Sequence, residues 1–168
     1  ILHDEQITWP DARDEAESLG GHLATLTSSA ENDWVYAEIA SDEQYWIYQG
    51  GGTLISHGPW IGGFQSCDSC SYQWVTGEAW SYDNWASGEP YNNPNENFVN
   101  FYRRNQHAPA DEWNDALCCS TTALVEWSAD CNGDGIVDYG QIMDGTLADD
   151  DGNGVPDCCD QGEPCGDV

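Results

Sequence analysis

Lysine is absent from this chain, and arginine stands only at positions 13, 103 and 104, against 31 aspartates and glutamates. Nucleic acid and anionic lipid recruit clusters of Lys and Arg to displace counterions from phosphates, so neither is expected as a partner. No apolar run approaches the roughly 20 residues of a membrane span, so membrane insertion is not expected. No charged-then-apolar leader opens the chain, and residue 1 reads as a processed or truncated end inside a first strand. Asn-x-Ser/Thr never occurs, which removes the usual N-glycan signal. There is no Gly-x-Ser-x-Gly element, and His3, His22, His57 and His107 lie apart in sequence. Acids are too dense for any pair of them to signal a glycosidase. No enzyme is expected.

What is present points the other way. A formal net charge of -28 on 168 residues repels itself in a compact fold unless cations neutralise part of it, and bound divalent metal is the direct remedy. At 39% hydrophobic, the chain supports one ordinary domain plus a small appendage. Nine Trp, eight Tyr and three Phe spread from Trp9 to Trp127 predict a single aromatic-rich core. Eight Cys, with neighbouring pairs at Cys118–Cys119 and Cys158–Cys159, fit an oxidising compartment, so a secreted or cell-surface location with disulfides is expected.

Two helices have legible starts. Thr8-Trp9-Pro10-Asp11 sets a capping hydroxyl three residues before an acid, and Ala12, Ala16 and Leu19 follow at helical spacing before Gly20-Gly21. Ser28-Ser29-Ala30-Glu31 repeats that logic, and Trp34, Val35, Ala37 and Ile39 are expected on the buried side. From 41 to 127 the pattern becomes short aromatic and β-branched runs, such as 72–76, 98–102 and 122–127, joined by long loops. Loops of that length are expected to be functional or pinned by metal and disulfides.

After Trp127 the composition shifts. Residues 128–168 hold ten Asp, one Glu, eight Gly and no basic residue, too little apolar material for a core. A boundary therefore falls between domains at 1–127 and 128–168. Within the second, Asp130, Asn132, Asp134 and Asp138 fall at positions 1, 3, 5 and 9 of a loop with Gly135 at position 6 and Gln141 at 12. Alternate side-chain oxygens aimed at a hard cation, a glycine at the sharp turn and a carbonyl from residue 7, here Ile136, make a calcium loop. The pattern recurs 19 residues on, with Asp149, Asp151, Asn153, Gly154, Val155, Asp157 and Asp160. Gln141 lacks the charge of the usual bidentate Glu and Asp160 is one methylene short, so moderate affinity is expected. No helix precedes the first loop. The tail resembles the half-EF-hand loops of dockerin modules and the aspartate-rich repeats of thrombospondin type 3.

Across residues 1–127, eight short motifs follow one another: Trp9-Pro10-Asp11-Ala12, Leu19-Gly20-Gly21-His22-Leu23-Ala24, Trp60-Ile61-Gly62-Gly63, Trp74-Val75-Thr76-Gly77, Asn84-Trp85, Gly88-Glu89-Pro90, Trp113-Asn114-Asp115 and Leu124-Val125-Glu126-Trp127. Their order and spacing resemble the C-type lectin-like domain. The resemblance implies an α+β fold of two helices, two small antiparallel sheets and a long loop region carrying a Ca2+ site. In sugar-binding members, carboxylates and amides coordinate calcium and also bond two vicinal hydroxyls, and Glu89, Glu96, Asn114 and Asp115 match those positions. Glu89 in place of Gln corresponds to mannose-like hydroxyl geometry. Tyr91 stands where the family has Asn, leaving Asn92 or Asn93 to supply that oxygen.

The cysteines depart from the family as well. Its long bridge would fall at Ala16 or Glu17 and Val125, and its second has Phe98 opposite Cys118. Cys67 and Cys70 are then expected to pair with Cys118 and Cys119. A four-thiolate zinc site is the competing reading, disfavoured because adjacent cysteines span a tetrahedron poorly. In the tail, Cys131 is expected to pair with Cys159, and Cys158 with Cys165. The expected function is calcium-dependent recognition of a glycan or glycoprotein, as in cell adhesion. The alternative is a self-associating subunit of a calcium-stabilised extracellular fibre, a filament built by strand addition at the first sheet edge and by the tail.

Overall fold

The computed structural model describes residues 2–49, 55–68, 70–91, 93–104, 108–117 and 120–165. Both expected helices form where their caps lie. Helix α1, Trp9–Ser18, follows an extended Thr8 whose hydroxyl accepts the Asp11 N–H, and it buries Trp9, Ala12 and Ala16. It ends at Gly20, whose φ of 73° suits a residue without a Cβ. Helix α2, Ser29–Ile39, starts from Ser28, which accepts the Glu31 N–H, while Glu31 reaches back to the Thr27 amide at 2.7 Å.

The buried face of α2 differs from expectation. It is Asn32 and Ile39 that are buried, whereas Trp34 is 67% exposed and Ala37 is exposed too. Asn32 tolerates burial because its oxygen accepts the Trp113 indole N–H at 2.8 Å and its amide donates to the Asp111 carbonyl at 3.2 Å. A polar anchor, invisible to apolar periodicity, thus sets the helix rotation.

Strands β1 (Leu2–Ile7), β8 (Ser120–Ala123), β4 (Ile55–Phe64), β6 (Phe98–Arg104) and β7 (Trp113–Ala116) form the main path of one sheet in that order, and β3 (Ile47–Gln49) and β5 (Gln73–Trp74) also pair with β4. Among the described strands β4 and β8 pair in parallel and the other pairs are antiparallel, while an isolated parallel bridge joins Trp85 to Trp113. A second sheet joins β2 (His22–Leu23) to β9 (Val125–Glu126). The main sheet is larger than the small sheets expected. Its central strand β4 was masked in sequence by Gly58, Pro59, Gly62 and Gly63, which resemble breakers. The glycine at 62 is there for close approach, since a Cβ would stand 2.6 Å from the Leu23 carbonyl oxygen.

The aromatic residues build two buried clusters rather than one. Trp60 joins Ile7, Trp9, Ala12, Ala16 and Leu23, and its neighbour Ile61 joins Leu26, Ile39, Trp46, Trp74, Phe101 and Trp113. Successive residues of β4 thus face opposite sides of the sheet. Indole N–H groups tie the layers: Trp9 donates to the Ile61 carbonyl at 2.8 Å and Trp60 to the Ile7 carbonyl at 3.0 Å. Where the family bridges are missing, apolar packing stands in. Ala16 is buried in the cluster that Val125 packs against, and Phe98 stacks on Trp9 at 4.7 Å.

One disulfide expectation is corrected. Cys67 is bonded to Cys70, their Cα atoms 5.2 Å apart across a tight turn, so neither is free for Cys118, Cys119 or a zinc site. Cys118 and Cys119 lie outside the described residues, as does His107. In the tail, Cys131 is bonded to Cys159 and Cys158 to Cys165.

Two short helices follow β9: α3, Asp138–Asp144, and α4, Asp157–Asp160. The tail seats on the turn after α1. Trp127 stacks on Tyr139 at 4.1 Å and donates to the Leu19 carbonyl at 2.9 Å. Gly154, with φ of 83°, lies so close that a Cβ would stand 2.2 Å from the Leu19 oxygen.

The Asn32–Trp113 bond yields a stability prediction. Asn32→Ala leaves a buried indole donor unpaired beside the strand that carries Asn114, and should lower the unfolding free energy in urea by about 1–3 kcal/mol. A change within measurement error would show that the bond contributes nothing.

Candidate metal and ligand site

Strand register assembles the principal site. Residues two apart share a sheet face, so Val99 and Phe101 of β6 point into the core while Asn100, Tyr102 and Arg104 point to the other side. Their cross-strand partners share that side. Asn114 of β7 lies opposite Asn100, His57 of β4 opposite Tyr102, and Ile55 opposite Arg104. The loop through Glu89, Tyr91, Asn93 and Glu96 borders this face, and together they line a cavity of about 500 Å³.

Three expected ligands, Glu89, Glu96 and Asn114, therefore line one cavity. Asp115 is only 1% exposed and accepts the Tyr91 amide at 2.9 Å. Asn93 lines the cavity, and Asn92 lies outside the described residues. Tyr91 is 69% exposed at its mouth.

The electrostatics of this cluster are unfavourable as it stands. Burial first, then the charge of Asp115, holds the Glu89 carboxyl above its ordinary value, with Glu96 adding to the rise and the Tyr91 amide and Arg104 opposing it. Burial and Asp115 together push the Tyr72 phenol far above its ordinary range. Carboxylates at Glu89 and Glu96 and a carboxamide at Asn114 on one cavity wall are hard-oxygen donors of the kind a calcium ion takes. His57, by contrast, is pushed below its ordinary value by burial and contributes no charge at neutral pH. A second cavity, of about 380 Å³ between α2 and β9, is walled by Leu26, Val35, Ile39 and Leu124, and none of the expected ligands reaches it.

Ile55, His57, Tyr102 and Arg104 were not read as site residues from sequence. The usable signal was the alternation in β6 of core residues with Asn100, Tyr102 and Arg104, which becomes informative only once β4 and β7 are known to flank it.

The tail repeats one hydrogen-bond pattern twice. Asp130 accepts the amides of Gly133, Asp134 and Gly135 at 2.8, 3.1 and 3.0 Å, and Asp149 accepts those of Gly152, Asn153 and Gly154 at 2.9, 3.2 and 3.0 Å. Gly133 and Gly135 have φ of 74° and 86°, and Gly152 and Gly154 have 72° and 83°. Asn132, Asp134 and Gln141 converge through the Asn132–Asp134 contact at 3.0 Å and the Gln141–Asp134 contact at 2.7 Å. Asn153 likewise joins Asp151 at 3.2 Å and Asp160 at 2.8 Å. The Gln141 amide, followed by the Ile136 N–H, holds the Asp134 carboxyl below its ordinary value. Asp138 is 1% exposed; one of its oxygens accepts the Cys131 amide at 2.8 Å, and the other has no hydrogen-bond partner among the described residues. A buried carboxylate oxygen left bare in an oxygen-rich loop fits a cation ligand. Asp157 accepts the Asp150 amide at 3.0 Å, while Ile136 is 56% exposed and Val155 part-buried.

A fold with two capped helices, a central β4–β6 pair and a loop-bordered acidic cavity is that of a lectin-type binding domain. The chain belongs to the Lectin C-type domain family, which it matches over residues 5–125. It is 31% identical over 111 residues to a perlucin-like protein of Mytilus galloprovincialis, covering 66% of this chain and 62% of that one. Similarity to an alpha-N-acetylgalactosamine-specific lectin of Patiria pectinifera is 29% over 105 residues, covering 62% and 56%. Among solved structures, the mouse scavenger receptor C-type lectin carbohydrate-recognition domain superposes with a TM-score of 0.54 at 22% identity, over 74% of this chain and 83% of that one. The chain thus spans little more than half the length of these two curated relatives. Family membership places it among binding domains rather than enzymes. Among the described residues, no helix is long and apolar enough to cross a membrane.

Glu89 supplies the pH prediction. Folding raises its pKa, so in chelator the ionised group weakens the fold at neutral pH, and the penalty disappears as pH falls below the ordinary carboxyl range. In thermal unfolding with chelator, Glu89→Gln should melt above the parent at pH 7 and match it in acid. A variant that melts lower at pH 7 would contradict the assigned strain.

Proposed function

We propose that this chain is a calcium-dependent carbohydrate-recognition module of a secreted or cell-surface protein, with calcium held both in the lectin cavity and in the two tail loops. The observation that carries the reading is that Glu89, Glu96 and Asn114 line one cavity, where burial and then the charge of the buried Asp115 raise the Glu89 pKa. The lectin relatives support a glycan or glycoprotein as ligand, and they favour recognition over the fibre alternative.

In this reading Glu89, Glu96, Asn114 and Asp115 hold the ion, with Asn92 or Asn93 completing the set. A bound calcium would offer coordination positions to two vicinal hydroxyls of a sugar. Glu89 accepts a hydrogen bond from one hydroxyl and the Asn114 amide donates to the other, so the acid–amide pair reads hydroxyls as both donors and acceptors. Asp115 positions the loop through the Tyr91 amide. Tyr91, exposed at the mouth, offers an aromatic face to a sugar ring.

In the tail, Asp130, Asn132, Asp134, Ile136, Asp138 and Gln141 hold one ion, and Asp149, Asp151, Asn153, Val155, Asp157 and Asp160 hold another. The matched turns and the bare Asp138 oxygen support this assignment, which corresponds to dockerin-like or thrombospondin type 3-like loops. Because Gly154 and Tyr139 seat the tail on the turn after α1, ordering the loops also braces the lectin domain.

Immobilised mannose tests the site. The protein should be retained in calcium and released by chelator, and Glu89→Gln or Asn114→Ala should abolish retention. Asp130→Ala with Asp149→Ala should lower the bound calcium per chain while retention persists. Retention indifferent to chelator, or unchanged calcium content in the tail variant, would contradict the respective assignment.

A further inference from the structure

We infer that the lectin cavity selects an acidic sugar, a hexuronic acid, with Arg104 as the group that reads the sugar's carboxylate. This rests on the proposed reading of the cavity as a carbohydrate site and deepens it.

The argument begins with the scarcity of positive charge. The chain has three cationic side chains, and two have structural partners: Arg13 pairs with Asp14 and Glu17 on α1, and Arg103 donates to the Pro109 carbonyl at 3.3 Å. Arg104 differs. It is exposed on the cavity wall, and no carboxylate among the described residues reaches it at ion-pair distance. Its charge is nonetheless felt at Glu89 and at the Tyr102 hydroxyl. In a chain with 31 acids, an arginine with no ion pair among the described residues, set on the same sheet face as Tyr102 and His57, stands ready for an anionic group from outside.

The cavity has room for such a ligand. Its volume is about 500 Å³, and Arg104 and Tyr102 line it together with Glu89, Glu96 and Asn114. A neutral hexose with its ring hydroxyls on the acid–amide pair brings no charge to Arg104. A hexuronic acid of the same stereochemistry replaces one CH2OH by a carboxylate, which the planar guanidinium meets through two parallel hydrogen bonds. The ligand's anion would share the cavity with Glu89 and Glu96, whose charge the cation of the proposed site offsets. Ile55 lies opposite Arg104 in the β4–β6 register and lines the same cavity.

The test compares methyl α-glucopyranoside with the corresponding methyl α-glucuronide, which share every ring hydroxyl, by calorimetry on the full chain in saturating calcium at low ionic strength. The glucuronide should bind about three- to fivefold more tightly, as befits one partly exposed charge pair, and added salt should shrink the gap. Arg104→Gln should equalise the two sugars, with the glucuronide losing its advantage over the glucoside measured on the same variant. Equal binding by the parent protein would overturn the selectivity while the carbohydrate site stands. A variant that loses both sugars alike would show Arg104 to be structural, which also overturns it. Failure of both sugars to bind in calcium would overturn the site itself and this inference with it.

Discussion

Uncompensated negative charge is the constraint on which this structure turns. Among the described residues the ion pairs are those of Arg13 on the surface of α1, and exposed pairs of this kind contribute little. The acids instead gather where oxygen ligands would be wanted. One group borders the cavity beside β6 and β7, and two others occupy the tandem turns of the tail. Strain shows at two points, the raised Glu89 carboxyl and the bare Asp138 oxygen. In the proposed reading, cation binding and folding would be one thermodynamic problem, with stability linked to free metal.

Around those sites the protein is held by aromatic packing with polar ends. Indole N–H groups bridge layers that apolar contact alone would let slide, and the Asn32–Trp113 bond fixes α2 against the strand bearing Asn114 and Asp115. The tail is part of the same construction. Trp127 stacks on Tyr139 and Gly154 nests against Leu19, so the tandem-turn repeat bears on the turn between α1 and β2.

Much of this was legible in the residues. The caps at Thr8 and Ser28, the glycine stop after α1 and the positions of the tail turns all follow from local chemistry that needs no knowledge of distant partners. Long-range features were less accessible. Trp34 reads as core but is exposed, because burial of Asn32 depends on a bond to a residue 81 positions away. Strand β4 does not stand out among the strand-like runs, because its glycines serve close packing rather than turning. The pairing of Cys67 with Cys70 contradicts a framework inferred from family bridges that this chain does not keep. His57, Tyr102 and Arg104 become a wall only through the register of three strands, which no single segment encodes.

The claim that divalent metal offsets the acid surplus is tested most directly by thermal unfolding of the full chain in calcium against sodium chloride at matched ionic strength. Specific coordination predicts a rise in Tm with calcium that saturates at low concentration and far exceeds the rise with sodium. Equal shifts in the two salts would mean that general screening, not bound ions, relieves the repulsion, and the central claim would fail.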